Sequence, residues 1–371
     1  MELNHPLSLQ VRVLGLMALT VAAAGAAPAT AQSFIGPLNT VTTVSTTVPT
    51  NGDVNPYGVA QVPISKGKLV EGRFLISNFN NGANQQGTGT TIVQIAANGT
   101  FSLFAQIDAS KVRCPGGIGL TTALVALRSG FVIVGSLPTT NGMSPTAKAG
   151  CLIVLDSNGN VAETISDHNI NGPWDMTAAD DGSMAALFVT NVLNRTVAAK
   201  GGVVHGGTVI RLWLSIPAGK LPSLLNSTIV AWNYAERTDP NALVIGPTGV
   251  AFDVTTDSLY VADTLGNRIT WVANALIRRG PANVGSTVSE GGKLNSPLGL
   301  AWTPNHHLLA ANGNDGNLVE IDPATGKQVA WKLVDNTGGP PPGAGALFGL
   351  ITVWDGVYFV DDASNTFNFL H

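Results

Sequence analysis

Apolar residues along this chain recur in runs of four or five closed by a small polar residue. Such runs stand at residues 74–78, 131–135, 187–191, 259–263, 308–312 and 357–361. β-Branched and aromatic residues grouped this way, bounded by Asn, Asp or Gly, predict strands. Ahead of each run a second phrase recurs: proline, any residue, glycine, then an aliphatic residue. It reads Pro56-Tyr57-Gly58-Val59, Pro115-Gly116-Gly117-Ile118, Pro247-Thr248-Gly249-Val250 and Pro297-Leu298-Gly299-Leu300. Pro173-Trp174-Asp175-Met176 and Leu347-Phe348-Gly349-Leu350 are degenerate copies. The copies begin 59, 58, 74, 50 and 50 residues apart, a recurrence that marks a repeat architecture with insertions. A third apolar run follows, for example Leu152-Ile153-Val154-Leu155, and turns such as Asn158-Gly159 lead to a fourth. Four antiparallel strands in each of six units predict an all-β, six-bladed β-propeller.

The two ends fit that count. The sixth unit finishes after three strands, at Phe367-Asn368-Phe369-Leu370, while a Thr-rich β segment at residues 41–48 stands spare. This N-terminal segment is expected to be the outer strand of the last blade and to close the ring. Closure removes a strand edge that would otherwise pair with another chain. Residues 32–371 then make a single β-propeller domain. Residues 1–31 read as a secretory signal peptide, because Arg12 precedes a 15-residue apolar run and Ala29-Thr30-Ala31 supplies a cleavage site. That run is short of the roughly 20 residues that span hydrocarbon. The expected mature protein starts at Gln32, has no membrane span, and is secreted or periplasmic.

Composition narrows the partners. Charged residues are 11% of the chain, against about 25% in an ordinary soluble domain, so long surface helices laced with charge pairs are excluded. A formal net charge of −4 offers no basic stripe for nucleic acid. With 44% hydrophobic residues, the chain has ample material for a large core. The two cysteines, Cys114 and Cys151, have no C-x-x-C spacing and no nearby His, so they are not a metal pair. They fit one disulfide of an exported protein; two buried thiols are the alternative.

The best-preserved unit is Pro247-Thr248-Gly249-Val250-Ala251-Phe252-Asp253 followed by Leu259-Tyr260-Val261-Ala262-Asp263-Thr264-Leu265-Gly266-Asn267-Arg268-Ile269. It resembles the NHL repeat, whose pattern is a P-x-G-V-A strand, a V-Y-V-A-D strand and a D-x-x-N-x-R-I turn. The match is close in this unit, fair in the fifth and loose elsewhere. The resemblance implies a secreted NHL-like propeller and no specific member. Such propellers host scaffolds, binding proteins, lyases and lactonases, so function must be argued from the site.

In a meandering blade, the connection into the first strand and the one between second and third strands open on the same face. Long insertions at residues 79–89, 137–150 and 192–207, and a Pro-Gly-rich stretch at 336–345, all fall there. Long loops on a rigid scaffold carry binding. The second strands end in Asn78, Asn191, Asp263, Asn312 and Asp361, with Gly135 as a gap, and Asp175 replaces a repeat glycine. A ring of oxygens of this kind suits Ca²⁺. In paraoxonase-like and gluconolactonase-like propellers, residues so placed hold an axial metal that polarises an ester carbonyl. The competing expectation is that Asn and Asp end these strands because they make Asx turns. Asp175, His168 and His205 are the candidate catalytic groups, the histidines lying in loops of the third unit on the same face. Trp174, beside Asp175, is a candidate binding-face aromatic.

Two functions follow from the sequence. One is an extracytoplasmic binding or scaffold protein, expected to be a monomer, that holds a protein, glycan or small-molecule ligand on its long-loop face. The other is a Ca-dependent hydrolase or lactonase.

Overall fold

The second strand of each blade is sandwiched between neighbours on both sides, which is why its sequence is a continuous apolar run instead of an alternation. Phe74–Asn80, Val132–Ser136, Leu308–Asn312 and Gly356–Asp361 are buried along their whole length. Outer strands touch the ring on one side only. Gln328–Leu333 accordingly alternates half-buried with exposed residues.

The computed structural model describes residues 32–240 and 242–371; the expected signal peptide lies outside them. Six antiparallel sheets surround an axis. Blade 1 runs Val54–Gln61, Phe74–Asn80, Thr91–Ile95, Phe101–Gln106, and blade 2 runs Leu120–Ala126, Val132–Ser136, Cys151–Leu155, Val161–Ile165. Blade 3 comprises Pro173–Asp180, Met184–Asn191, Val204–Ser215 and Ser223–Asp239, with Leu243–Ile245 as a fifth strand. Blade 4 follows as Pro247–Asp253, Ser258–Asp263, Arg268–Ala273, Ser286–Glu290, and blade 5 as Pro297–Trp302, Leu308–Asn312, Asn317–Ile321, Gln328–Leu333. Blade 6 joins Leu347–Val353, Gly356–Asp361 and Thr366–Leu370 to the N-terminal strand Val41–Thr46.

The N-terminal strand closes the ring as expected, running antiparallel to the chain end with Val41 opposite Leu370 and Thr46 opposite Thr366. Residues ahead of it are clamped to blade 5 by the buried Glu320. Its carboxylate accepts from Ser33 Oγ at 2.7 Å and from the Phe34 and Ile35 amides at 2.9 Å each, and meets His307 Nδ1 at 2.7 Å. Cys114 and Cys151 form a disulfide with Cα atoms 5.4 Å apart. It ties the lead-in of blade 2 to the third strand of that blade.

Two details depart from the expected repeat. The inner strand of blade 2 begins at Leu120, after the Pro115-Gly116-Gly117-Ile118 phrase, and pairs Leu120 with Ser136 and Leu124 with Val134. Ala123, not Gly117, therefore occupies the repeat-glycine position. The glycines upstream serve the loops: a Cβ on Gly119 would lie 2.5 Å from the Gly87 carbonyl oxygen. In blade 3 the long insertion is partly strand. Val204 pairs with Glu236 beyond the end of the second strand, and Thr238 pairs with Val244. This extended ribbon lies on the long-loop face.

Candidate functional site

The repeat phrase explains how the inner strands approach one another. Blade 1 pairs Pro56 with Asn78 and then Val59 with Ile76, so each P-x-G segment bulges. The glycine faces the inner strand of the next blade. A Cβ on Gly249 would lie 2.4 Å from the Leu298 oxygen, on Gly299 2.1 Å from the Phe348 oxygen, and on Gly349 2.3 Å from the Tyr57 oxygen. Asp175 holds this position in blade 3. Its carboxylate reaches across to blade 4 and accepts from the Val250 amide at 3.1 Å, so a hydrogen bond spans the seam that glycine closes by contact elsewhere. Asp175 is enclosed by protein yet borders the axial channel, which leaves it half-buried by area. Burial lifts its carboxyl to about 7, against the backbone hydrogen bonds from Met176 and Val250.

The variable residue of the phrase points to the axis. Tyr57, Trp174, Leu298 and Phe348 come from blades 1, 3, 5 and 6 and join one core cluster with Phe79. Tyr57 stacks on Phe348 with centroids 4.0 Å apart and on Phe79 at 4.6 Å, with Trp174 tilted at 5.8 Å. Leu137, Val192, Leu193, Leu243 and Val244 from the loops and the blade 3 ribbon pack onto the same cluster. The axis is thus plugged at its long-loop end. Trp174, expected as a binding-face aromatic, is 1% exposed and belongs to the plug.

The strand-end residues are engaged locally. Asn78 donates to the Thr47 oxygen at 3.0 Å, Asn191 accepts from the Asn171 amide at 3.0 Å, and Asn312 accepts from the Asn295 amide at 3.1 Å. Each of these three pins the segment arriving from the previous blade. Asp263 pairs with Arg268 Nε at 2.8 Å and accepts from the Gly266 amide at 3.2 Å; Asp361 accepts from the Ser364 amide at 3.1 Å. These two bond the backbone of the turn that follows their own strand. Gly135, expected as the gap in the series, is not its blade 2 member: Ser136 pairs with Leu120 as Asn78 pairs with Pro56, and its Oγ accepts from the Gly119 amide and donates to the Gly117 oxygen, at 3.0 Å each. Among the described residues, no group of three or more His, Cys, Asp or Glu is disposed to hold a metal. Five of the six candidate side chains spend an oxygen on their own blade or seam, whereas the buried Oδ1 of Asn78 has no hydrogen-bond partner among the described residues.

The histidines do not join Asp175. His168 is largely exposed, 3.5 Å from Asp167. His205 lies in the lengthened third strand and not in a loop, opposite Ala235, with Nδ1 3.3 Å from the Asn233 oxygen.

Three polar groups beneath the long-loop face have no counterpart in the sequence reading. Glu236 is fully buried in the ribbon, and burial raises it to about 8. Asp362 is raised to about 7 by burial and by the charge of Asp361. Burial and the neighbouring Asp362 push the Tyr57 phenol well above its ordinary value. Glu236 and Asp362 lie outside the repeat phrases, so no periodic signal marks them. Tyr57 is the variable residue of a phrase, and its bulk beside Trp174 and Phe348 was the available signal.

The channel itself has a volume of about 440 Å³ and is lined by the inner strands of all six blades. Its lining runs from Asp175 and Phe348 to Gln61, Arg128 and Asp180 at the short-turn end, where Gln61 and Arg128 are exposed. The cavity therefore opens away from the long loops.

No protein-family model matches the chain, and no curated protein sequence matches it. Solved structures do. A gluconolactonase from Xanthomonas campestris superposes with a TM-score of 0.54 at 14% identity, covering 91% of this chain and 90% of that one. The PQQ-bound aldose sugar dehydrogenase of Streptomyces coelicolor gives 0.52 at 14%, covering 90% and 98%. Virginiamycin B lyase from Staphylococcus aureus gives 0.50 at 12%, covering 89% and 98%. At these identities the likeness is one of fold. Three different activities share the frame, so the frame selects none of them.

Proposed function

We propose that the protein is an extracytoplasmic binding or scaffold propeller that presents its long-loop face to a macromolecular partner, protein or glycan. The observation that carries this reading is that the loops interlock into a closed platform over the plugged axis. Thr139 Oγ1 of the blade 2 loop donates to the Gln86 oxygen of the blade 1 loop at 2.6 Å, and the Thr139 amide donates to Gly87 at 2.9 Å. Ser144 Oγ donates to the Asp239 oxygen of the blade 3 ribbon at 2.8 Å, and the Gly150 amide donates to Asn171 at 2.6 Å. A pre-ordered platform binds at a low entropic cost. An oxidising compartment is supported by the disulfide and by the leader read from residues 1–31.

The alternative is a Ca-dependent hydrolase of the paraoxonase or gluconolactonase type. It draws on fold likeness and on the strand-end oxygens with Asp175, while Tyr57, Trp174 and Phe348 fill the axis at its long-loop end.

The test uses one double and one single variant, on opposite faces. Asn141→Arg with Met143→Arg alters the exposed tip of the blade 2 loop, and Trp354→Arg alters a short turn on the other face. Cross-linking in the native extracellular fraction is expected to yield the same partner from wild type and Trp354→Arg, and to lose it with the loop variant. Retention of that partner by the loop variant would overturn the reading.

A further inference from the structure

We propose that the axial channel, reached from the short-turn face, binds a small organic cation whose ammonium group ends on Asp175. The site is separate from the loop platform, because the aromatic plug lies between the two. Three observations converge on it.

The first is the cavity, about 440 Å³, which is within the size range of small-molecule sites. Its walls are Leu124, Met176, Val250, Leu300 and Leu350, and its floor is Phe348. Two wall hydroxyls are already turned to the protein: Thr122 Oγ1 donates to the Trp174 oxygen, and Thr352 Oγ1 donates to the Trp302 oxygen.

The second is the carboxyl at the inner end. Asp175 stands where four other blades have glycine, so a charge-bearing group has been placed against the axis in one blade alone. Its Oδ2 is held by Val250.

The third is the placing of counter-charge: the one Lys or Arg among the described residues that line the channel, Arg128, stands at its exposed mouth. The inner strand of blade 2 carries no titratable residue. Asp253 ends the inner strand of blade 4, engaged with Thr255 and Thr256. Arg128 and Asp180 stand at the mouth, where the Arg128 amide donates to Asp180 at 2.6 Å. Only backbone amides favour the ionised form of Asp175, which is why burial dominates its titration near 7. An ammonium ion arriving along an apolar wall supplies the opposite charge in a low-dielectric site, where it acts most strongly. A neutral ligand of the same shape gains only the wall contacts.

Calorimetric titration of the whole protein with n-butylammonium, and with n-butanol as its neutral counterpart, tests this between pH 5.5 and 8.5. The cation is expected to bind at least about tenfold more tightly than the alcohol at pH 8. Its affinity should fall about tenfold per pH unit below 7, because the site must lose its proton. Asp175→Asn, still cooperatively folded, should lose the preference for the cation. Equal binding of cation and alcohol, no saturable binding of the cation, or a cation affinity independent of pH would each overturn the proposal. These readouts use the wild-type protein, so they decide the matter even if Asp175→Asn fails to fold.

Discussion

At position 236 a glutamate lies fully buried in the blade 3 ribbon, where burial outweighs a backbone hydrogen bond from Asn194 and the charge of Arg195. Burial holds its pKa near 8, well above the ordinary 4.5. A carboxyl raised in this way lets the folded chain keep a proton that the unfolded chain has released. The stability it contributes is complete below about pH 4 and is lost as pH rises through about 8. Asp175 and Asp362, both near 7, act in the same direction. The melting temperature is therefore expected to fall as pH rises from 5 to 8.5. Glu236→Gln should be stabilised relative to wild type at pH 8.5, by on the order of 2–4 kcal/mol given about 1.4 kcal/mol per unit of displacement. Thermal melts at both pH values check this, and a variant that melts below wild type at pH 8.5 would refute the buried-proton account. Glu320 has the opposite sign: burial would raise it, but the Phe34 and Ile35 amides with Ser33 and Asn305 more than offset this and lower it. Its clamp on the N-terminal segment is lost as pH falls.

On the scale of the element, the P-x-G bulge does two jobs with adjacent residues. The glycine lets neighbouring inner strands touch, and the variable residue fills the axis. Tyr57 sits at the centre of the plug, stacked between Phe79 and Phe348. Tyr57→Ala is expected to cost about 3–5 kcal/mol, the range for deleting a buried aromatic. It should also loosen the loops whose Leu137, Val192 and Leu243 pack on the cluster. Urea unfolding measures the cost, and hydrogen exchange in residues 137–150 measures the loosening; wild-type exchange in that segment would count against the plug as the platform's support. The strand-end Asn and Asp residues belong to this scale too. They were legible as a ring in the sequence, but a repeat position shows only that a residue type recurs. Whether its side chain turns to the axis or to the preceding connection depends on partners such as Thr47, Asn171 and Asn295. Those partners lie in loops with no period of their own.

Across the whole molecule, strand content, blade number and ring closure could be read from hydrophobic runs because each blade is the same packing problem repeated. Blade 2 misled the reading, since a Pro-Gly-Gly phrase fell a few residues before a strand whose own repeat position is Ala123. Blade 3 departed further, because a ribbon grown from its third and fourth strands follows no repeat. Closure by residues 41–46 hides the edge of Thr366–Leu370. A chain lacking residues 32–47 is expected to self-associate through that edge, visible as dimers or larger species in sedimentation velocity; a monomeric truncated chain would contradict this.

Side chains fill the axis beneath the long loops, and a Ca²⁺ ion is not expected there. Calorimetric titration of chelator-treated protein with Ca²⁺, joined to its melting temperature with and without EDTA, tests it most directly. No saturable heat and no shift in melting are expected. Stoichiometric Ca²⁺ binding with a raised melting temperature, abolished by Asn191→Ala or Asp263→Ala, would contradict it.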